Sequence, residues 1–413
     1  MRKTEGREFV ELYDGYAGSI LEIDLTQQRG SRISLPVQYR TRLLSGKSLA
    51  AQIMTDRMTG REAALSEENI VVVASSLLTG TGAPGAARFD VASLSPKDNL
   101  PAFSNCGGNF GLYLKRAGYD ALVLKGRCER PKWLQISADG VIFHDAADLW
   151  GLGTGACREQ LQKNQGKQPF GSVCIGPAGE HLVKFASLLA DKHSTGRAGL
   201  GAVLGWKRLK AITVTGEKTI PFYEESAVSE INRRWYAHLR EVASQRLNTE
   251  SCPACPLHCV RHSRGGNPIL EELGMGSIAA EAVTRDIEDP DIFRAIAFRE
   301  GIGDQLAEGV KTAKGKFGKR RNICCARIAE TFGFGEDADD LCKNMTEAVC
   351  VLGQCLFTVN GLVPGMKEMY LLTMMNSITG RQLTLEDLLA IGRHSRELEE
   401  AIRKRFEPKN TSA

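Results

Sequence analysis

Apolar and polar positions divide this chain into two halves of different texture. Residues 18–216 hold short β-branched runs, GSILEIDL, NIVVVASSLL, YDALVLKG, KWLQIS, GVIFHD, GSVCIG and LKAITVTG, most of them bounded by Gly, Asp, Asn or Pro. Helical stretches are fewer there: TRLLSGKSLAAQIM, Phe110–Ala117 and ACREQLQKN. The pattern predicts an α+β domain built on one or two sheets. Beyond about Lys218 helical periodicity takes over, in ESAVSEINRRWYAHLREVASQRL, DPDIFRAIAFREGIGDQLAEGVKTA and LTLEDLLAIGRHSRELEEAIRKRF. In the last of these Leu388, Ile391, Leu398 and Ile402 fall on one face, and Thr384 with Asp387 forms a capping box at its start. The reading is therefore two regions, 1–216 and a mostly helical 217–413. No internal repeat shows. KGKFGKRRN reads as a solvated linker, with an anion or partner patch as the rarer alternative, and the tail PKNTSA is expected to be disordered.

Charge changes this picture little. The 413 residues carry a formal net charge of +4, too small and too scattered for the clustered basic face of a nucleic-acid binder. No run reaches the ~18 apolar residues of a membrane helix, and MRKTEGREFV lacks the apolar core of a secretory signal. A cytoplasmic chain is expected, in which clustered cysteines mark metal binding or catalysis more often than disulfides.

The cysteines then carry the sharpest signal. Cys252-Pro-Ala-Cys255-Pro-Leu-His-Cys259 brings three thiolates round one turn. Thiolates suit iron–sulfur clusters or zinc. A [4Fe–4S] cubane needs a fourth thiolate from elsewhere, and Cys342, Cys350, Cys355 and the pair Cys324–Cys325 are the candidates. A structural zinc site completed by His258 or His262 is the rival reading. Cys106, Cys128, Cys157 and Cys174 sit among apolar or Gly-rich neighbours and read as buried small side chains.

Glycine supplies the second signal. The 43 glycines concentrate in residues 80–205, chiefly in three loops: 78–88 (LTGTGAPGAAR), 104–111 (SNCGGNFG) and 193–201 (HSTGRAGLG). Glycine lets backbone approach a ligand closely and turns several N–H groups toward an anion. Arg88 and Arg197 bring forked donors suited to phosphate or a planar heterocycle. Tight turning and close sheet packing explain any one such loop as well. None is a Walker A loop. Three in one domain, beside a cluster motif, point to a phosphate-bearing organic cofactor.

These segments together resemble the tungsten-containing aldehyde ferredoxin oxidoreductases. The likeness runs through GYAGSILEIDL, LTGTGAPGAARFDV, NCGGNFGLYLKRAGYDALVLKG, IGPAGEHLVKFASLLADKH and GRAGLGAVLGWKRLKAI, and resumes at CPACPLHC, REGIGDQLAEG and GQCLF. It implies an N-terminal double-sheet domain clasping tungsten (or molybdenum) held by two molybdopterins, with a [4Fe–4S] cluster nearby. By motif, Arg88 matches the arginine between pterin and cluster. Asn105 and Ser194 match the residues whose carbonyls meet the Mg²⁺ bridging the pterin phosphates. Gly107, Thr195, Gly196 and Arg197 belong to the phosphate-approaching loops. Cys350-Val-Leu-Gly-Gln-Cys355 matches the family's D-x-x-G-x-C, which makes Cys355 the fourth ligand beside Cys252, Cys255 and Cys259. Glu271-Glu-Leu-Gly-Met-Gly276 matches D-x-x-G-x-D, so Glu271 keeps one pterin partner, whereas Cys350 replaces the aspartate that serves the other.

The likeness is to a shortened member. The family's Gly-Gly-Cys-His segment and its neighbouring glutamate, which handle protons, have no counterpart here. Two functions remain open: an oxidoreductase, possible substrate an aldehyde, passing electrons through the cluster to ferredoxin or a partner subunit; or a non-catalytic paralogue serving electron transfer or assembly. Oligomerisation is compatible with either.

Overall fold

The computed structural model describes residues 15–191, 193–195, 198–243, 339–355 and 369–408. The strands are β1 (Ser19–Asp24), β2 (Arg29–Ser34), β3 (Val71–Ser75), β4 (Arg88–Leu94), β5 (Pro101–Gly107), β6 (Ala121–Lys125), β7 (Lys132–Ser137), β8 (Gly140–Asp145), β9 (Gly171–Cys174), β10 (Leu188–Ala190), β11 (His193–Thr195) and β12 (Leu209–Val214). The helices are α1 (Val37–Thr41), α2 (Gly46–Arg57), α3 (Phe110–Arg116), α4 (Thr154–Gln165), α5 (Pro177–Glu180), α6 (Leu200–Trp206), α7 (Glu225–Ala243), α8 (Asp339–Val351), α9 (Met369–Thr379) and α10 (Leu385–Phe406).

Two six-stranded sheets result. One has the order β2-β1-β6-β3-β4-β5, the other β11-β10-β9-β12-β7-β8. From the β2 edge the first sheet pairs antiparallel, parallel, then antiparallel three times. From the β8 edge the second repeats that series. A helix follows β5 (α3) and another follows β11 (α6), so the backbone is duplicated although no repeat shows in the sequence. The last strands of the two series, β5 and β11, lie against each other.

Strand alternation divides the first sheet between two cores. Val71 and Val73 of β3, Phe89 and Val91 of β4, and Leu122 and Leu124 of β6 join a core shared with the second sheet, α3 and α6. Val72, Ala74, Ala92, Leu94, Ala121 and Val123 face the opposite way, into a core completed by α2 and α7–α10. Period-two placement with both faces covered explains why β3 is buried throughout. Each fully buried Val, Leu or Phe there contributes roughly 1.5–3 kcal/mol. Edge strand β2 is largely polar and exposed, whereas edge strand β8 is half exposed and carries Val141, Ile142 and Phe143.

The helical expectations hold where residues are described. Thr384 Oγ1 accepts from the Asp387 amide at 3.3 Å, and Asp387 Oδ2 accepts from the Thr384 amide at 2.7 Å. Leu388, Leu398 and Ile402 are buried, and Ile391 packs partly buried against the same core. Cys106, Cys128, Cys157 and Cys174 are buried thiols. TRLLSGKSLAAQIM is not one helix. It breaks between α1 and α2, where Leu43 turns to φ +55° and Ser45 starts α2 with a capping box to Ser48. Strands β2, β4, β5, β10 and β11 escaped the pattern reading, because polar, small or very short segments carry little alternation. DPDIFRAIAFREGIGDQLAEGVKTA, KGKFGKRRN and the end of PKNTSA lie outside the described residues. Among the described residues no helix is long and apolar enough to cross a membrane.

Candidate functional site

The site is built where the first glycine loop, 78–88, runs into β4. Arg88 opens β4, and alternation turns it, with Asp90, away from the Phe89–Val91 core and toward the helices. Asn105 stands opposite Asp90 in the β4–β5 ladder, so the three side chains share a face. Arg88 Nε donates to Asn105 Oδ1, and Asn105 Nδ2 donates to Asp90 Oδ2 at 3.0 Å. Asn105 thus links a half-buried cation to a buried carboxyl.

The end of α8 closes over this face. The Leu78 amide donates to the Leu352 carbonyl at 2.9 Å, Gln354 Nε2 to the Pro84 carbonyl at 2.6 Å, and the Cys355 amide to the Gly85 carbonyl at 3.2 Å. Ser45 Oγ donates to the Val351 carbonyl at 2.8 Å. Gly353 makes the closure possible: its φ is +89°, and a Cβ there would stand 2.3 Å from Ser76 Cβ. Cys355 is thereby seated beside Arg88, more than 260 positions away in sequence.

Electrostatics follow from this seating. Burial works against the Arg88 charge, yet Cys355, Cys106, Cys350 and Asp90, in that order, more than offset it and raise the guanidinium pKa. Burial pushes Asp90 up to about 6, with Asn105, Lys47 and Arg88 pulling the other way. Burial, then Glu347 and Asp90, pushes the Cys350 thiol up to about 12. Lys47 pairs with Glu347 at 3.0 Å and Glu399 at 2.5 Å, and these carboxylates overcome its burial to raise its pKa. Lys47, Glu347 and Asp90 were not singled out from sequence. For Asp90 the signal was present, since Arg88-Phe-Asp90 at period two puts both charges on one face.

The second glycine loop is less a loop than the end of β5: Gly107 pairs with Arg88, and the Gly108 amide donates to the Ala87 carbonyl at 3.1 Å. At the start of α3 the Asn109 amide donates at 2.5 Å to Asp191, another residue that sequence did not flag. Asp191 also accepts from the Ser172 amide at 3.0 Å, so one carboxylate ties the second sheet to the start of α3. Burial raises its pKa. Ser194 and Thr195 lie in β11, whose contact with β5 brings the Ser194 and Asn105 backbones onto adjoining edges.

The structure therefore assembles Arg88, Asn105, Gly107 and Cys355, with Ser194 and Thr195 on the neighbouring strand. Gly196, Arg197, Cys252, Cys255, Cys259 and Glu271 lie outside the described residues, as do the alternatives Cys324, Cys325, His258 and His262. The donor chemistry fits the implied groups. A cysteine beside a half-buried arginine suits an anionic thiolate cluster, and two abutting strand edges offer carbonyls to a hard cation.

The chain is similar to known proteins over its first half. Residues 20–216 match the family model described as "Aldehyde ferredoxin oxidoreductase, N-terminal domain". The chain is 39% identical over 183 residues to the tungsten-containing aldehyde ferredoxin oxidoreductase of Pyrococcus furiosus, covering 44% of this chain and 30% of that protein. It is 36% identical over 212 residues to the protein of that description from Thermococcus kodakarensis, covering 51% and 35%. The chain thus spans about a third of the length of the curated relatives it matches. Among solved structures it resembles the active site complex BamBC of benzoyl coenzyme A reductase bound to 1,5-dienoyl-CoA. The TM-score is 0.75 at 20% identity over 96% of this chain and 90% of that one, a likeness of fold.

Proposed function

We propose that this chain, which belongs to the aldehyde ferredoxin oxidoreductase family through its residues 20–216, is an oxidoreductase whose residues hold a tungsten (or molybdenum) bis-pterin and a [4Fe–4S] cluster. The observation that carries the reading is the seating of Cys355 beside Arg88 through the Cys355–Gly85 hydrogen bond. Cys252, Cys255, Cys259 and Cys355 would hold the cluster. Asn105 and Ser194 would give carbonyls to Mg²⁺, and Gly107, Thr195, Gly196, Arg197 and Glu271 would face the pterins. Such cofactors supply two-electron oxygen-atom chemistry coupled to single-electron transfer, while the protein sets position and field. Arg88, fixed by Asn105, would place a permanent positive charge between the two groups and favour added electrons there. Ferredoxin or a partner subunit would receive the electrons, and an aldehyde is the substrate class the family suggests.

One observation favours a second reading. Cys350, held neutral, stands in place of the aspartate partner of one pterin, and the proton-handling segment has no counterpart. A chain of this kind would serve electron transfer or assembly without oxidising aldehydes. Metal and pterin analysis of anaerobically purified protein tests the first reading, with four irons and one tungsten or molybdenum per chain expected. Iron without either metal overturns it, and zinc in place of iron removes the electron-transfer role as well. Aldehyde oxidation abolished by Cys355→Ser overturns the second.

A further inference from the structure

We propose that the cavity beside the first glycine loop is a binding site for a small organic anion, with its oxyanion at Arg116 and Lys218 and its apolar part against Ile220 and Phe222. The cavity has a volume of about 380 Å³ and is formed by the C-terminal end of α3, the turn before β9 and the segment linking β12 to α7. That size falls at the lower end of small-molecule sites.

Its walls divide by chemistry. Tyr113, Arg116, Gln168 and Lys218 supply donors to the lining, while Ile220 and Phe222 supply apolar surface. Ile220 is buried and Phe222 packs on the main core, so this wall is held by the fold. It is also closely packed: a Cβ at Gly80 would come within 2.4 Å of Ile220 Cδ1.

The positive charge outnumbers the carboxylate at the cavity wall. Among the described residues neither Arg116 nor Lys218 forms an ion pair, and Arg116 leans over the Tyr113 ring at 6.0 Å. A third cation stands close. Around the position a Cβ would take at Gly118, Lys218 Nζ lies at 2.9 Å and Arg32 Nη1 at 3.2 Å. Arg32 is held there by the Ala138 carbonyl at 2.8 Å and by the Tyr119 ring at 4.3 Å. Glu217, at the cavity wall, is the carboxylate that offsets them in part. Cations gathered without matching carboxylates beside a cavity raise the local concentration of anions, and guanidinium with ammonium suits a carboxylate or phosphate head. The apolar wall selects a body attached to that head over a bare ion. Neither Arg88 nor Cys355 lines the cavity, and the site does not depend on the cofactors proposed there.

Titration calorimetry of the full chain with phenyl phosphate tests this, with inorganic phosphate as the reference ligand. Saturable binding of phenyl phosphate is expected, at least tenfold tighter than inorganic phosphate. It should weaken tenfold or more in Arg116→Gln/Lys218→Gln and stay unchanged in Arg234→Gln, an exposed site outside the cavity. Absence of saturable binding, equal affinity in the double variant, or inorganic phosphate binding as tightly as phenyl phosphate overturns the proposal. Hydrogen exchange on the unmodified chain guards against a misfolded variant: phenyl phosphate should slow exchange in residues 113–118 and 216–222, and no slowing there also overturns it.

Discussion

Gly353→Ala perturbs the turn that carries Cys355, and the structure allows its effect to be divided. One part is conformational. At φ +89° an alanine meets the left-handed penalty of roughly 1–2 kcal/mol. The other part is steric. The new methyl would lie 2.3 Å from Ser76 Cβ, far inside the ~3.5–4.0 Å of an ordinary carbon contact. Ser76 is fully buried, so the turn must move, at about 1–3 kcal/mol for overpacking. Gly151 provides the control. Its φ is +88° with nothing within 4 Å, so Gly151→Ala isolates the conformational part. Thermal and urea unfolding of both variants should place Gly353→Ala lower by about 1–3 kcal/mol, the overpacking part. Adding Ser76→Gly should recover that difference, because the Ser76 hydroxyl has no hydrogen-bond partner among the described residues to lose. Iron retention should fall in Gly353→Ala alone, since the shifted turn breaks the Cys355–Gly85 hydrogen bond. Equal stability of Gly353→Ala and Gly151→Ala would refute the reasoning.

Three further perturbations test other parts of the molecule. Burial lowers the Lys207 pKa from 10.5 to about 8 although its ammonium donates to the Gly126 carbonyl at 2.9 Å. The unfolded chain then binds the extra proton between those values, so stability should rise with pH across that window by about 3 kcal/mol. Unfolding of Lys207→Met measured beside the unmodified chain should lack this rise, while the opposing contribution of Cys128, raised by burial to about 11, cancels in the comparison. Glu180→Gln strips the carboxylate from Lys210 in a pair where both side chains are essentially inaccessible, and should cost about 3–5 kcal/mol in urea unfolding. Glu180→Leu/Lys210→Met should recover most of it. Arg88→Gln removes the cation facing Cys355 and should lower the reduction potential of the proposed cluster, by no more than about 4 kcal/mol, the attraction of unit charges ~4 Å apart at an effective dielectric of ~20. A potential unchanged in electrochemical titration would separate Arg88 from the cluster.

Local chemistry determined much of this protein from the chain alone. The β-branched runs around Val72, Val123 and Ile212 and the apolar face of α10 depend on neighbours two to four positions away, and such signals survive in sequence. So do the C-x₂-C-x₃-C spacing and the glycine loops, because their chemistry needs particular residues at short intervals. What tertiary structure decided lies between distant residues. It brought Cys355 to Arg88 through Gly85 and a turn that only a glycine at 353 permits. It set Asn105 between Arg88 and Asp90, raised the Cys350 thiol pKa by packing it near Glu347 and Asp90, and used Asp191 to tie the second sheet to α3. The duplicated sheets were also invisible in sequence, since topology depends on which distant strands pair, and no local window contains both partners. Desolvation and charge depend on the sum of everything packed around a group, and no local window contains that sum.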